Sequence, residues 1–250
     1  MSERYDFRTQ RLFVAQSLVA NVAIEPDHAQ SNYLLNVLRL KDGSDVLLFN
    51  GRDGEWLGSL KPIGPKSCEI MPISQLREQP EPYDQVYLFA PLKQSRLDYM
   101  VQKAVEMGVG VLQPVLTRHT QFTKSNSERI ESYAKEAAAQ CGILTIPKVK
   151  PSEKLLGLLD KWDNSRHIIY CDETESDDSA VEILQQIKPG PLAILIGPEG
   201  GFSSEERKHL KSLDFITPIS LGPRILCADT AAVAALTLVQ AVAGDWRKKE

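Results

Sequence analysis

The sequence predicts an α/β fold, with a mostly parallel sheet covered by helices and a small β-barrel before it. From about residue 86 onward, short apolar runs alternate with amphipathic stretches of helical length, which is typical of β–α–β units. Earlier in the chain, short apolar runs alternate with glycine- and proline-rich turns, which favours a barrel. We therefore predict two domains, 1–78 and 79–250, joined by the proline-rich polar segment 77–84.

The predicted barrel contains short strands and one short helix. Apolar runs at 11–15 and 45–49 are candidate strands, and the turn-forming sequence of 51–60 leads into a further strand. Residues 61–71 continue this pattern with glycine, prolines and an apolar end. Residues 28–38 predict a helix between the first two strands.

In the second domain strands and helices alternate. A helix is expected after Ser95, with Asp98 completing a capping box and Gly108 ending the helix. Its apolar stripe is formed by Leu97, Met100, Val101, Ala104 and Val105. The expected strands lie at 86–91, 109–115, 145–149, 167–171, 192–197 and 216–221. The other expected helices lie at 125–142, where Ser125 and Glu128 form a capping box, and at 153–162, 179–187, 203–213 and 230–244. We expect the acidic segment 172–178 to be a solvated loop.

Composition narrows the function classes. Hydrophobic residues make up 42% and charged residues 25% of the chain, as in a globular protein. With a formal net charge of −4, any RNA contact must use local basic patches. The four cysteines are far apart and no histidine stands at metal spacing, so we expect neither a metal site nor a disulfide framework. The charged N-terminus and the short longest apolar run, 231–239, lead us to expect a cytoplasmic protein with no membrane span.

Two glycine-containing loops carry the strongest functional signal. Residues 192–206 run from an apolar strand through the turn GPEGG into a helix start, and residues 220–230 run through LGPRIL into an alanine-rich helix. Both loops follow apolar strands, so a parallel sheet places them at the same edge. Glycine has no side chain to keep a ligand from the main chain, so we expect Gly197, Gly200 and Gly201 to expose backbone groups.

These two loops, in this order, resemble those of the bacterial 16S ribosomal RNA uracil-N3 methyltransferase family, a branch of the knotted SPOUT methyltransferases. The likeness extends over most of the chain: residues 36–51 resemble the family's PUA-like barrel, and residues 92–121 the first block of its knotted domain. Without the resemblance we would predict an unknotted doubly wound sheet. The resemblance implies a trefoil knot formed by the last three strands, and a homodimer. The alanine-rich helix 230–244 is our candidate for the dimer surface.

The resemblance also implies methyl transfer from S-adenosylmethionine to N3 of a uridine in 16S ribosomal RNA of the small ribosomal subunit. N3 lies on the Watson–Crick edge, so the base must be unpaired. The imide proton must leave, and negative charge spreads onto O2 and O4, where an arginine or a backbone N–H can stabilise it. The sulfonium of the cofactor is a cation, so a nearby carboxylate favours its binding.

The candidate catalytic residues are Glu199, Arg224 and Arg118. Glu199 is either an electrostatic partner of the sulfonium or base, or a carboxylate favoured by the dipole of the following helix. Arg224 either faces the RNA or is a surface charge. We expect the cofactor to contact Leu195, Ile196, Gly197, Gly200, Gly201, Leu221, Gly222, Ile225, Leu226 and Thr117. The candidates for RNA docking, each individually more often a surface charge, are Arg8, Arg11, Arg39, Lys41, Arg52, Lys93 and Arg96.

Three positions depart from the family pattern. Ile143 and Cys227 stand where the family has arginine, and Asp229 stands where it has glutamate. We expect Asp229 or Thr230 to cap the last helix. The departures leave open a SPOUT methyltransferase with another RNA target, such as a ribose 2′-hydroxyl, and a non-catalytic RNA-binding or assembly protein. A Rossmann-like nucleotide enzyme is disfavoured because no GxGxxG follows any predicted strand.

Overall fold

The computed structural model describes residues 8–122, 126–172, 179–244 and 246. The chain forms two compact units: unit 1 comprises Met1–Pro82 and Ala138–Ile146, and unit 2 comprises Tyr83–Ala137 and Pro147–Glu250. The sequence pattern indicates one boundary near residue 78. It gives no sign that the short segment Ala138–Ile146 joins the first unit.

Unit 1 is built on a four-stranded sheet with the order β1-β2-β3-β4. Its strands are β1 (Arg11–Phe13), β2 (Asp45–Phe49), β3 (Glu55–Gly64) and β4 (Ser67–Arg77). Helix α1 (His28–Asn32) continues as a π-helical turn over Tyr33–Val37, where the sequence predicts one short helix. Four consecutive residues of β2 are buried because this strand has a neighbour on each side and is covered on both faces. The apolar core consists of Leu12, Val14, Leu18, Ile24, Leu34, Val46, Leu48, Leu60, Cys68 and Ile70.

Unit 2 is built on a parallel sheet with the order β11-β9-β10-β5-β6-β7, and β8 also pairs with β6. Every strand pairing in this sheet is parallel, which confirms the predicted sheet type. The strands are β5 (Gln85–Phe89), β6 (Val111–Leu116), β7 (Lys148–Val149), β8 (Glu153–Lys154), β9 (His167–Cys171), β10 (Leu192–Ile196) and β11 (Ile216–Ile219). All five residues of β5 and of β10 are buried, as expected for central strands covered on both faces. The trefoil knot remains a prediction from the family resemblance.

The remaining helices are α2 (Gln94–Glu106), α3 (Ser127–Cys141), α4 (Leu155–Leu159), α5 (Ala180–Gln186), α6 (Ser204–Lys211) and α7 (Ala228–Ala243). The predicted apolar stripe of α2 is buried. Gly108 follows the helix and has a positive φ of 80°. None of the helices in the described part of the chain is long and apolar enough to cross a membrane.

The predicted capping box at the start of α2 is wrong. The helix begins two residues earlier than expected, at Gln94; Lys93 occupies the N-cap position, and no side chain caps it. Asp98 instead accepts two hydrogen bonds from Arg129 of α3, because a charge-assisted bidentate pair is stronger than a bond to a helix N–H. Ser125, the second predicted cap, lies outside the described residues.

A buried ion network in unit 1 joins the sheet to the end of α3. The Glu55 carboxylate accepts from Arg11 Nε at 2.7 Å and from Arg77 Nε at 2.6 Å. Arg11 also donates to the main-chain oxygens of Ala138 and Ala139, at 2.7 and 2.9 Å. A helix end leaves its last carbonyl groups without an intrahelical partner, and the arginine supplies donors for them.

The prediction that Arg11 docks RNA is therefore wrong. Arg11 is only 7% exposed, and its guanidinium lies 4.4 Å from the centre of the Phe49 ring. A buried arginine needs a paired carboxylate and saturated donors, and Glu55 with the end of α3 meets both needs. Its role is to hold unit 1 together.

Candidate functional site

A cavity of about 260 Å³ lies at the carboxyl edge of the sheet of unit 2. Its walls come from the ends of β9 and β10, from the loops that follow β10 and β11, and from the first turn of α7. The two loops that the sequence singles out therefore meet around one cavity. The predicted residues that line it are Ile196, Gly197, Glu199, Gly200, Gly201, Leu221, Gly222, Arg224, Ile225 and Leu226.

Two predicted cofactor residues lie elsewhere in unit 2. Leu195 is fully buried in the apolar core of the sheet, because adjacent residues of a strand point to opposite faces. Thr117 lies in the loop after β6, where its main-chain N–H donates to Thr120 Oγ1 at 2.8 Å. Neither lines the cavity.

The three glycines of the first loop are needed at their positions for different structural reasons. A Cβ on Gly197 would lie 2.6 Å from the Phe202 ring, so this glycine allows close packing. Gly201 has φ of +66°, a conformation that other residues rarely adopt, and its N–H closes the turn by donating to Pro198 O at 2.9 Å. A Cβ on Gly200 would lie 3.3 Å from the His119 side chain. Packing and turn geometry thus explain these glycines in addition to any ligand contact.

The loop after β6 is fastened to the glycine turn and to α6. Ser203 and Glu206 form a capping box at the start of α6. The other Glu206 oxygen accepts from the main-chain N–H of Arg118 at 2.8 Å. His119 Nδ1 lies 3.0 Å from Gly200 O, so this side chain fastens the loop to the glycine turn. The Arg118 side chain remains exposed.

The second loop presents both an apolar and a cationic side chain at the cavity. Ile225 is 90% exposed, and Arg224 is exposed next to it. Gly222 has φ of +103°, and a Cβ there would meet nothing within 4 Å. The backbone conformation, and not lack of space, therefore requires glycine at this position.

An ion cluster links both loops to α2. Arg96 donates to both carboxylate oxygens of Asp229, at 3.0 and 2.8 Å, and its remaining terminal nitrogen pairs with Glu199. The hydrogen bonds from Arg96 hold the pKa of Asp229 below its usual value. Cys227, not Asp229 or Thr230, occupies the N-cap position of α7, so the predicted cap is wrong. The Asp229 carboxylate lies inside the first turn and is directed to Arg96.

Asp172 is a cavity residue that sequence reasoning missed. It follows the last residue of β9, lines the cavity, and is only 2% exposed, so the prediction of a solvated loop is wrong at this residue. Its carboxylate accepts from the Tyr170 hydroxyl at 2.7 Å and lies 3.6 Å from Arg207. The position of Asp172 directly after an apolar strand could have identified it as a residue at the cavity. The acidic run over 173–178, which lies outside the described residues, made it look like part of a solvated loop.

Beside Asp172, Cys171 presents a neutral thiol to the cavity. Burial raises the pKa of this thiol to about 12. The described residues contain no group of His, Cys, Asp and Glu suited to a metal ion. The cavity is lined by glycines, by apolar residues and by the charged residues Asp172, Glu199 and Arg224.

The predicted RNA-docking residues fall into two sets. Arg8, Arg39, Lys41, Arg52 and Lys93 are exposed. Arg39 has a positive φ of 56° and lies just after Leu38, the C-cap residue of the π-helical turn. The second set consists of Arg11 and Arg96, which form ion pairs within the protein. Arg11 is buried and pairs with Glu55, and Arg96 pairs with Glu199 and Asp229.

A parallel sheet with two glycine-containing loops around a cavity at its carboxyl edge is typical of α/β proteins that bind a small ligand at that edge. The family model described as an RNA methyltransferase domain matches residues 79–240, and that described as an RNA methyltransferase PUA domain matches residues 26–72. The chain belongs to the RNA methyltransferase family. The PUA-like nature predicted for the barrel is confirmed.

Similar proteins support this assignment over nearly the whole chain. Ribosomal RNA small subunit methyltransferase E of Rickettsia conorii is 33% identical, over 92% of this chain and 94% of its own length. A putative methyltransferase from Legionella pneumophila, solved with bound S-adenosylmethionine, is 28% identical with a TM-score of 0.83, over 95% of this chain and 99% of its own. The methyltransferase E of Neisseria gonorrhoeae, 23% identical with a TM-score of 0.85 over 96% and 100%, shows the same fold.

Proposed function

We propose that this protein transfers a methyl group from S-adenosylmethionine to N3 of a uridine in 16S ribosomal RNA of the small ribosomal subunit. The observation that carries the proposal is the cavity at the carboxyl edge of the sheet, which residues of both loops line. The Legionella relative holds S-adenosylmethionine, and the Rickettsia relative bears the name of a small-subunit RNA methyltransferase. An RNA of the small subunit as substrate fits a cytoplasmic location.

The cavity residues suit the parts of the cofactor. Gly197, Gly200 and Gly222 leave main-chain groups accessible for a polar ligand, and Ile225 and Leu226 provide apolar contact for a planar ring. Glu199 lines the cavity, and its cluster with Arg96 and Asp229 carries two negative charges against one positive charge. This net negative charge favours a cationic sulfonium. No metal is needed for this chemistry.

Methyl transfer to N3 needs stabilisation of the uracil anion more than a strong base. Glu199 is held by Arg96, so its carboxylate is directed to an ion pair and not toward a substrate proton. Arg224 is exposed at the cavity, where its guanidinium can face O2 or O4 of the flipped base. Arg118 lies in the loop fastened to the glycine turn and is the alternative cation.

The proposed reaction is tested by mass spectrometry of 16S ribosomal RNA from a strain that lacks the gene. We expect N3-methyluridine to be absent from the deletion strain and to return when small subunits from that strain are incubated with the purified protein and S-adenosylmethionine. A methyl group found on a ribose would instead identify another SPOUT activity. RNA binding without any methyl transfer would identify an assembly protein.

A change at the cavity wall should separate cofactor binding from folding. Ala231 lies in α7 and lines the cavity, so Ala231→Leu places three more carbons in the space proposed for the cofactor. We expect the affinity for S-adenosylmethionine in calorimetry to fall on the order of 10- to 100-fold, the scale of an overpacked site. Ala241→Leu is the control, because Ala241 is exposed on the same helix. Equal affinities of both variants would place the cofactor elsewhere.

Exposed cations of the PUA-like barrel are proposed to bind RNA. The double change Arg39→Ala and Lys41→Ala should weaken binding of small-subunit RNA and reduce the slope of log affinity against log salt by about 1 per lost phosphate contact. Lys188→Ala removes the same kind of charge from an exposed site before β10 and should leave the slope unchanged. An unchanged slope in the double variant would show that the barrel binds RNA through other residues.

We further propose that the protein is a homodimer that uses α7. Ala232, Ala235, Leu236 and Val239 of this helix pack inward, while Val233 and Leu238 remain partly exposed, so apolar side chains extend beyond the covered face. Sedimentation of the purified protein should give the mass of two chains. A monomer over the range of concentrations used for catalysis would exclude this arrangement.

A further inference from the structure

Arg96 stands at the centre of an ion cluster formed by three separate segments of unit 2. Arg96 itself lies in the first turn of α2, Glu199 lies in the glycine turn after β10, and Asp229 lies in the first turn of α7. The bonds to Asp229 use Nε and one terminal nitrogen, and the bond to Glu199 uses the other. One guanidinium therefore contacts both elements that carry the loops of the cavity.

The geometry of the pair between Arg96 and Asp229 restricts the relative positions of α2 and α7. A bidentate pair between arginine and a carboxylate fixes orientation as well as distance, which a single ammonium contact does not. The side chain of Glu199 is 53% exposed. The pair of Arg96 with Asp229 is partly shielded, since the side chain of Arg96 is 29% exposed and that of Asp229 is 18% exposed. Burial of this degree makes the pair stronger than a fully exposed one.

The residues of the two loops do not by themselves hold the loops in one conformation, so contacts with other elements are needed. Gly201 and Gly222 both have positive φ, and glycine has the largest conformational freedom to lose on ordering. Ile225 is 90% exposed, so its side chain does not anchor the second loop by packing. A ligand held by such loops binds more tightly when they are ordered beforehand, because less entropy is lost on binding.

We infer that Arg96 is a positioning residue that holds the two loops at the spacing that the cofactor requires. This inference rests on the proposed function, and it replaces the RNA contact predicted for Arg96 from the sequence. Glu199 then contributes to cofactor binding through the ion pair that fixes its turn. Arg96 acts through Glu199 and Asp229 and does not itself touch the cofactor.

The test is calorimetric titration of S-adenosylmethionine into full-length variants, with thermal unfolding of each. Arg96→Met should weaken the cofactor affinity on the order of 10- to 100-fold, the range of a lost charged hydrogen bond. Arg96→Lys should recover only part of the affinity, because an ammonium lacks the planar donor pair. In an Asp229→Asn background, Arg96→Met should have a smaller effect than in the wild type.

The chain offers a matched control in the same helix. Asp98 of α2 forms an equally bidentate pair with Arg129 of α3, with nitrogen–oxygen distances of 3.1 and 2.6 Å. Neither of these residues lines the cavity. Arg129→Met should therefore change the affinity for S-adenosylmethionine less than about twofold, while its thermal unfolding responds as that of Arg96→Met does.

The outcomes separate the inference from the proposed function. Wild-type affinity in Arg96→Met, or an equal loss of affinity in Arg96→Met and Arg129→Met, would overturn the positioning role while leaving the proposed reaction intact. Failure of the wild-type protein to bind S-adenosylmethionine would overturn the proposed function and this inference together. A selective loss in Arg96→Met, with partial recovery in Arg96→Lys, supports the inference.

Discussion

Replacing Arg224 by alanine should lower the single-turnover rate of methylation by about 100-fold or more, the scale of removing one preorganised donor to a developing oxyanion. Arg224 lines the cavity, its side chain is exposed, and no ion pair with another described residue engages it. Its guanidinium is therefore available to the negative charge that spreads onto the uracil oxygens. The measurement uses small ribosomal subunits as substrate and a saturating concentration of S-adenosylmethionine.

The affinity for the cofactor separates catalysis from binding in this experiment. Calorimetry should give Arg224→Ala an affinity within a few-fold of the wild type, since the cofactor is proposed to contact mainly backbone groups. Arg224→Lys should restore part of the rate, because a point charge lacks the planar donor fork. Wild-type rates in Arg224→Ala would show that Arg224 is only a surface charge. The role would then pass to Arg118.

Removal of the Glu55 carboxylate should destabilise unit 1 by about 3–5 kcal/mol, the usual cost of breaking a buried ion pair on one side. The side chain of Glu55 is 3% exposed and that of its partner Arg11 is 5% exposed. In Glu55→Gln, Arg11 keeps its carbonyl acceptors at the end of α3 but loses the balancing charge. Urea unfolding followed by a probe in the barrel, such as the fluorescence of Trp56, measures the change.

The control for this prediction is a carboxylate in a partly exposed pair. Glu106 pairs with Lys103 one turn earlier in α2, and both side chains are about a quarter exposed, at 26% and 29%. Glu106→Gln should cost less than about 1 kcal/mol. Apolar replacement of Arg11 and Glu55 together should recover much of the stability lost in Glu55→Gln, because no unpaired charge is then buried. Equal stability of Glu55→Gln and Glu106→Gln would contradict a buried network.

Periodicity predicted most of the elements, because apolar runs report burial directly. The strands at 45–49 and 167–171 have the predicted bounds, and the stripe on α2 is buried as expected. The two loops of the cavity were also recognisable, since glycine-containing turns after apolar strands place ligand sites at the carboxyl edge of a parallel sheet. These features depend on residues close together in the sequence.

The incorrect predictions concern residues whose interaction partners lie far away in the sequence. Arg11 has the local appearance of a surface cation, and its acceptors are 44 and 127 residues away. Arg96 and Asp229 are separated by 133 residues, so neither the ion cluster nor the missing cap of α7 is visible locally. Asp172 is buried at the edge of an acidic run, and only the sheet that surrounds it decides its environment.

Because Ala138–Ile146 belongs to unit 1, that unit cannot be completed while its own first 82 residues are the only ones synthesised. Translation must continue from residue 82 to residue 146, about 64 residues further, before all of unit 1 has been synthesised. At about 5–20 residues per second this takes roughly 3–13 s. Until residues 138 and 139 are available, Arg11 has its Glu55 partner but lacks its main-chain acceptors. A nascent chain that ends before residue 138 should therefore be more sensitive to proteolysis than one in which residues 138–146 have left the ribosome.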